Sequence, residues 1–213
     1  MAVTFYYASG SPYAWRVWLA LEAKRIAHEF KLLSFDAGDL KKPEFLALNP
    51  RHRVPVLVDD GFALSESAAI LDYIDERWPA EPRLFDPDIQ RRAVQRRMIR
   101  EADGDVAPIL EKLAEAILFT PAEKRPEAEI AKLKGKLEKE LAFWEAALSG
   151  DYLAGALSAA DLTLYPYVAL FLRMETRHPP LATSSLLGPR LAGWNARMQA
   201  LPIVEQTWPP HWK

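Results

Sequence analysis

The dipeptide Ser11-Pro12 fixes where this chain must change conformation. Proline cannot donate to a sheet ladder and is costly inside a helix, but it is accepted at the first helical position, where no N–H partner is needed. Before it, Val3 to Tyr7 is a β-branched and aromatic run closed by Ala8-Ser9-Gly10, which reads as a strand ending in a turn. After it, Ala14, Val17, Trp18 and Leu21 recur at i, i+3, i+4 and i+7, the spacing of a helix with one buried face. Ser11 is thus predicted to cap a helix reaching about Lys24, and His28 to Phe35 follows as a second strand. Strand, helix and strand in that order imply parallel pairing with a right-handed crossover.

Further on, Asp36 to Lys42 is polar, contains Gly38 and reads as a loop, and Pro43 to Leu48 reads as a short helix stopped by Asn49-Pro50. Val54 to Val58 is a strand with Pro55 at its start, where a missing donor is tolerable. Asp59-Asp60-Gly61 makes a hairpin turn to a weak strand, Phe62 to Leu64. Ser65 to Trp78 is a helix with Ile70, Leu71 and Ile74 turned inward.

Residues 79–87 carry Pro79, Pro82 and Pro87 and form a stiff, non-helical linker between domains 1–78 and 88–213. Everything after it is helical in pattern. Asp88 to about Phe119 is one long helix, interrupted at Asp103-Gly104-Asp105 and Pro108, where a kink is predicted. Pro126 to Leu148 follows, with Ile130, Leu133, Leu137, Leu141 and Trp144 at helical spacing. Ser158-Ala159-Ala160-Asp161 is a capping box, so Asp161 reads as a cap and not as a catalytic acid. Pro179-Pro180 ends that helix, Gly188 to Leu201 is one more, and Trp208 to Trp212 reads as an irregular aromatic tail.

The 213 residues are half hydrophobic and a quarter charged, as in an ordinary globular protein. A net charge of -2 gives no general attraction to nucleic acid or to an anionic membrane. Met1 to Tyr7 reads as a strand, not a leader, and no apolar run approaches a membrane span, so the expected location is cytoplasmic. The absence of cysteine excludes disulfides and any mechanism through a protein thiol. His28, His52, His178 and His211 show no ligand spacing, so no metal is expected.

Three stretches carry a family likeness in their combination and order: Ser11-Pro12-Tyr13, then Asn49 to Gly61 with Arg53-Val54-Pro55-Val56, then Leu64 to Ile74 with Ser65-Glu66-Ser67. Together they resemble the amino-terminal domain of the soluble glutathione transferases, serine type. The resemblance implies an α/β thioredoxin-like domain followed by an all-α domain, a cis Val54-Pro55 bond, a homodimer, and glutathione as co-substrate. It implies conjugation of the glutathione thiolate to small hydrophobic electrophiles, a detoxification chemistry.

The resemblance also assigns residues. Ser67 offers a hydroxyl and a backbone N–H to the γ-glutamyl carboxylate, and Glu66 pairs with the ammonium. Arg53 or Lys41 takes the glycyl carboxylate; the family often has a lysine where Arg53 stands. Val54 pairs its backbone with the cysteinyl unit as an added strand does. Ser11 matches the serine that donates to the sulfur, with Tyr7 and Ser9 as rival hydroxyls. An acceptor pocket is implied between the domains, near Tyr13 or Trp15, the kinked helix, and Trp208 and Trp212. Arg92, Arg96 and Arg100 form an i, i+4 ridge that is either a solvated face or part of a subunit interface.

Two other readings stay open at this stage. Ala14-Trp15-Arg16-Val17 is similar to the maleylacetoacetate isomerase class, although Pro12 and Tyr13 replace that class's serine and cysteine. A non-catalytic relative that only binds a ligand is the other.

Overall fold

The computed structural model describes residues 3–212. Four strands, β1 (Val3–Tyr7), β2 (His28–Leu32), β3 (Val56–Asp59) and β4 (Phe62–Ser65), form one sheet in the order β2-β1-β3-β4. β1 and β2 are parallel, and α1 (Pro12–Ala23) is the crossover between them; β3 runs antiparallel to β1 and to β4. With α2 (Pro43–Leu48) and α3 (Ser67–Arg77), this is a thioredoxin-like unit.

The alternation of β1 decides how the unit packs. Phe5 and Tyr7 stack on one face with ring centroids 5.3 Å apart, and Tyr7 meets Trp18 of α1 at 5.4 Å. Tyr6 points to the other face, against Phe45 of α2, in a cluster with Leu40 and Val56. Burial of α1 goes well beyond the one face read from periodicity: Trp15, Arg16, Leu19 and Ala20 are buried as well as Ala14, Val17 and Leu21.

Several sequence-based boundaries move. β2 stops at Leu32, short of Phe35, because Leu33 gives its N–H to Tyr7 and the chain then turns through Ser34, whose N–H is taken by Asp39. The loop that follows contains a 3₁₀ turn, Asp39–Lys41, entered through Gly38 at φ 70°. α3 begins at Ser67, two residues later than predicted, so Ser65 is the last residue of β4 and Glu66 holds the cap position.

The proline-rich stretch is pinned. Lys24 at the end of α1 donates from its Nζ to Asp75 Oδ1 (3.1 Å), to the Ala80 carbonyl (3.0 Å) and to the Pro82 carbonyl (2.9 Å). Asp75 accepts from the Leu84 N–H as well, at 2.7 Å. A buried ion pair persists where its remaining hydrogen-bonding capacity is used, and here that capacity holds the chain against the first unit up to Phe85.

The second unit spans Asp86–Leu201 and is helical. It comprises α4 (Ile89–Glu101), α5 (Ala107–Ile117), α6 (Glu127–Ala147), α7 (Ala159–Arg177), the short α8 (Thr183–Leu186) and α9 (Pro189–Gln199). The kink predicted around Asp103 to Pro108 is a π-helical turn, Ala102–Val106, joining α4 to α5. Pro108 has no N–H to continue the regular ladder, and widening the preceding turn re-routes it. No helix among the described residues is long and apolar enough to cross a membrane.

The capping box of α7 is present. Asp161, fully buried, accepts from the Ser158 N–H and hydroxyl, the Leu153 N–H and the Trp194 Nε1–H. Burial pushes its carboxyl up while these donors pull it down, and burial is the larger effect. The stretch from Pro202 was predicted to belong to the helical domain; it packs instead with the first unit and begins with α10 (Pro202–Thr207). Pro210–Trp212, read as irregular, is a 3₁₀ turn. Replacing Asp161 by Ala leaves several buried donors without acceptors, so equilibrium denaturation of D161A is expected to show a loss of about 3 kcal/mol.

Candidate functional site

Strand register brings the three family-like stretches together. Tyr6 of β1 lies opposite Val56 of β3, and Val56 lies opposite Ser65 of β4. The end of β1, the start of β3 and the end of β4 therefore share one end of the sheet. The turn into α1, the Val54-Pro55 segment and the start of α3 all leave from that end.

Ser11 holds φ -70° and ψ 118°, the extended conformation of an N-cap, and its Oγ accepts the Ala14 N–H at 3.3 Å. The Ser11 carbonyl takes the first helical bond, from Trp15 at 2.9 Å. A serine hydroxyl has one O–H and two lone pairs, so the cap uses a lone pair and keeps the O–H for donation. The α1 N-terminus behind it carries the positive end of the helix dipole.

Val54-Pro55 is cis. The loop before it is built by Asn49, whose Nδ2 donates to the Arg53 carbonyl at 2.8 Å and whose Oδ1 accepts from the Arg51 N–H at 3.0 Å. That buried amide is a part of the site that sequence reading did not name, although Asn-Pro after a helix was its signal. His52 takes φ 44° within this turn. Val54 packs in the same cluster as Leu40, Phe45 and Val56, so the backbones flanking Arg53 and Lys41 rest on one apolar support. Both cations are exposed, and the neighbouring Lys42 is paired with Asp39 at 2.7 Å.

At the start of α3, Glu66 is the cap residue, with φ 68° and ψ 102°. A positive φ on a side-chain-bearing residue costs about 1–3 kcal/mol and survives only where its surroundings dictate it. Here the preceding Ser65 is paired in the sheet and the following Ser67 is buried, leaving Glu66 exposed between them. Ser67 Oγ accepts a hydrogen bond from Arg16 Nη2 of α1. Sequence reading noted Arg16 in a family pattern and gave it no role; its burial, 2% exposed, is not what a charged residue in a helical window announces.

The two rival hydroxyls stand in different surroundings. Tyr7 is packed among Phe5, Trp18 and Phe30, and burial pushes its phenol above the usual range. Ser9 Oγ is hydrogen-bonded to His211 Nδ1 at 3.0 Å. The tail that brings His211 there is anchored by Trp15, which donates from Nε1 to Thr207 Oγ1 at 2.8 Å and meets the edges of Trp208 and Trp212 at 5.5 and 5.4 Å. Trp15 is thus a packing residue of the first unit.

The fold and this geometry define a thioredoxin-like unit with two helix N-termini gathered at one end of its sheet, followed by a helical unit. Residues 10–77 match the model of the glutathione S-transferase amino-terminal domain, and residues 127–197 match that of its carboxy-terminal domain. Glutathione S-transferase A of Pleuronectes platessa is 30% identical over 221 residues, an alignment covering 99% of this chain and 92% of that protein. A glutathione S-transferase from the Antarctic clam Laternula elliptica is 28% identical with a TM-score of 0.79, covering 100% of this chain and 94% of that one. Poplar glutathione transferase F1 is 27% identical with a TM-score of 0.85, over 97% of this chain and 96% of the other. The chain belongs to the glutathione S-transferase family, and as an enzyme it is a glutathione transferase.

Gly10, at φ 83°, lies so close to the tail that an added Cβ would stand 2.9 Å from the His211 ring. G10A is expected to lose about 1–2 kcal/mol of stability, and hydrogen exchange should show lower protection of the Pro202–Trp212 amides than in the wild type.

Proposed function

We propose that the first unit binds glutathione along the shared end of its sheet and that the enzyme joins the glutathione thiolate to an electrophilic carbon of a small apolar substrate. One observation carries this reading: the β1–β3–β4 register gathers the Ser11, Val54 and Ser67 segments at one end of one sheet. The tripeptide's backbone meets that of Val54. Its γ-glutamyl carboxylate lies at Ser67 and its ammonium at Glu66. Arg53 or Lys41 meets the glycyl carboxylate, and the sulfur comes to the start of α1. The enzyme works in the cytoplasm, and its active form is a homodimer.

The chemistry follows from the state of the sulfur. A free thiol has a pKa near 8.5, so only a few per cent is nucleophilic at neutral pH. Lowering it by about two units requires roughly 2.7 kcal/mol of preferential stabilisation of the thiolate. The Ser11 O–H, donating to the anion at the positive helix end, supplies energy of that order. The thiolate attacks the electrophilic carbon, the new C–S bond forms, and a leaving group departs with its electron pair or, on addition, a proton is taken up. Holding both reactants in one site removes much of the entropic barrier to their meeting.

Three measurements test this reading. The protein should be retained on immobilised glutathione and should conjugate an aromatic halide; retention without turnover would favour a binding protein. Thiolate absorbance titrated against pH in the complex should give a pKa well below that of free glutathione. In S11A that pKa should rise toward the free value and turnover should fall roughly a hundredfold, with the pH–rate profile displaced to higher pH, while Y7F stays near wild type. The opposite ranking of the two variants overturns the assignment of Ser11.

A further inference from the structure

Arg16 is a guanidinium buried to 2% exposure, five residues past the Ser11 cap, with its carbon 5.5 Å from the centroid of the Tyr13 ring. Its Nη2 donates to the Oγ of Ser67, which is itself 5% exposed at the first position of α3. Arginine offers donors only, so in this bond Ser67 must be the acceptor. A serine hydroxyl has a single proton, and a lone pair committed to a fixed cation restricts the directions that proton can take. The Ser67 O–H is thereby turned away from Arg16, toward whatever acceptor faces the start of α3. The guanidinium also withdraws electron density from the oxygen, and hydrogen bonds in series strengthen one another in a low-dielectric setting.

We infer that Arg16 is a positioning residue for anion recognition: it locks the Ser67 hydroxyl as a donor and places a permanent buried charge behind it, setting affinity for the carboxylate on the γ-glutamyl arm. This rests on the proposed placement of that carboxylate at Ser67 and goes beyond it by naming the group that makes the site selective. The same bond joins α1 to α3, so the helix end that serves the sulfur and the helix end that serves the carboxylate are held by one side chain. Arg16 does not touch the ligand; its effect passes through Ser67.

The test compares two ligands by calorimetry: glutathione, and the analogue in which the α-carboxylate of the γ-glutamyl residue is replaced by hydrogen. Wild type should bind glutathione tighter by roughly tenfold or more, the scale of a hydrogen bond to a charged group. In R16M that ratio should fall to near one while affinity for the analogue stays within about twofold of wild type. R16Q, which keeps a donor and loses the charge, should lie between them, and S67A, which leaves Arg16 in place, should match R16M. An unchanged ratio in whichever Arg16 variant folds, or an equal loss for both ligands, overturns the role of Arg16 and leaves the carboxylate placement standing. A wild-type ratio of one overturns the placement itself and this inference with it.

Discussion

The hydrogen bond from Arg16 to Ser67 is the contact on which the geometry of the first unit turns. Burying a guanidinium is costly unless its donors are satisfied and its charge is used. Spending one donor on the hydroxyl at the start of a neighbouring helix makes the α1–α3 interface specific as well as apolar. Around it Val17, Leu21, Ile70, Leu71 and Ile74 are all closed to solvent, and the Lys24–Asp75 pair is a second directed contact at the far end of α1. Apolar packing alone tolerates small slides of one helix along another, whereas a directed bond between buried groups does not. Two helix ends must keep a fixed separation if one ligand is to reach both.

A second set of contacts fixes what surrounds the unit. Lys24 gathers Asp75 and two carbonyls of the proline-rich stretch, and Asp75 reaches on to the Leu84 N–H. From the opposite direction in sequence, Thr207, Trp208 and Trp212 close on Trp15, and His211 reaches Ser9. The segment before Ser11 is therefore held from behind by chain that comes from the far end of the sequence. Gly10 is the residue that permits the approach, since its left-handed φ and missing Cβ leave room for the His211 ring.

Features governed by local chemistry were legible in the sequence. Ser11 caps α1 as Ser-Pro before an apolar repeat indicates, the Ser158 and Asp161 pair forms its box, and Pro108 coincides with the break in the long helix. The cis Val54-Pro55 bond came from family likeness, because no local propensity dictates that isomer. Features created by distant partners were not legible. Arg16 reads as a surface residue until Ser67 is known to lie beside it, and the tail reads as irregular until Trp15 is known to receive it. The helix α3 starts at Ser67 and not at Ser65 because the sheet claims Ser65 first by pairing it with Val56.

A single tripeptide that engages both helix ends and the Val54 segment at once must perturb all three together. Amide chemical shifts followed by NMR during a glutathione titration show whether it does. One saturable process is expected, with the largest changes falling together on Ser11, Tyr13 and Ala14, on Val54, and on Ser67 with Ala68. Saturable shifts confined to only one of these segments, or no saturable shifts at all, would contradict it.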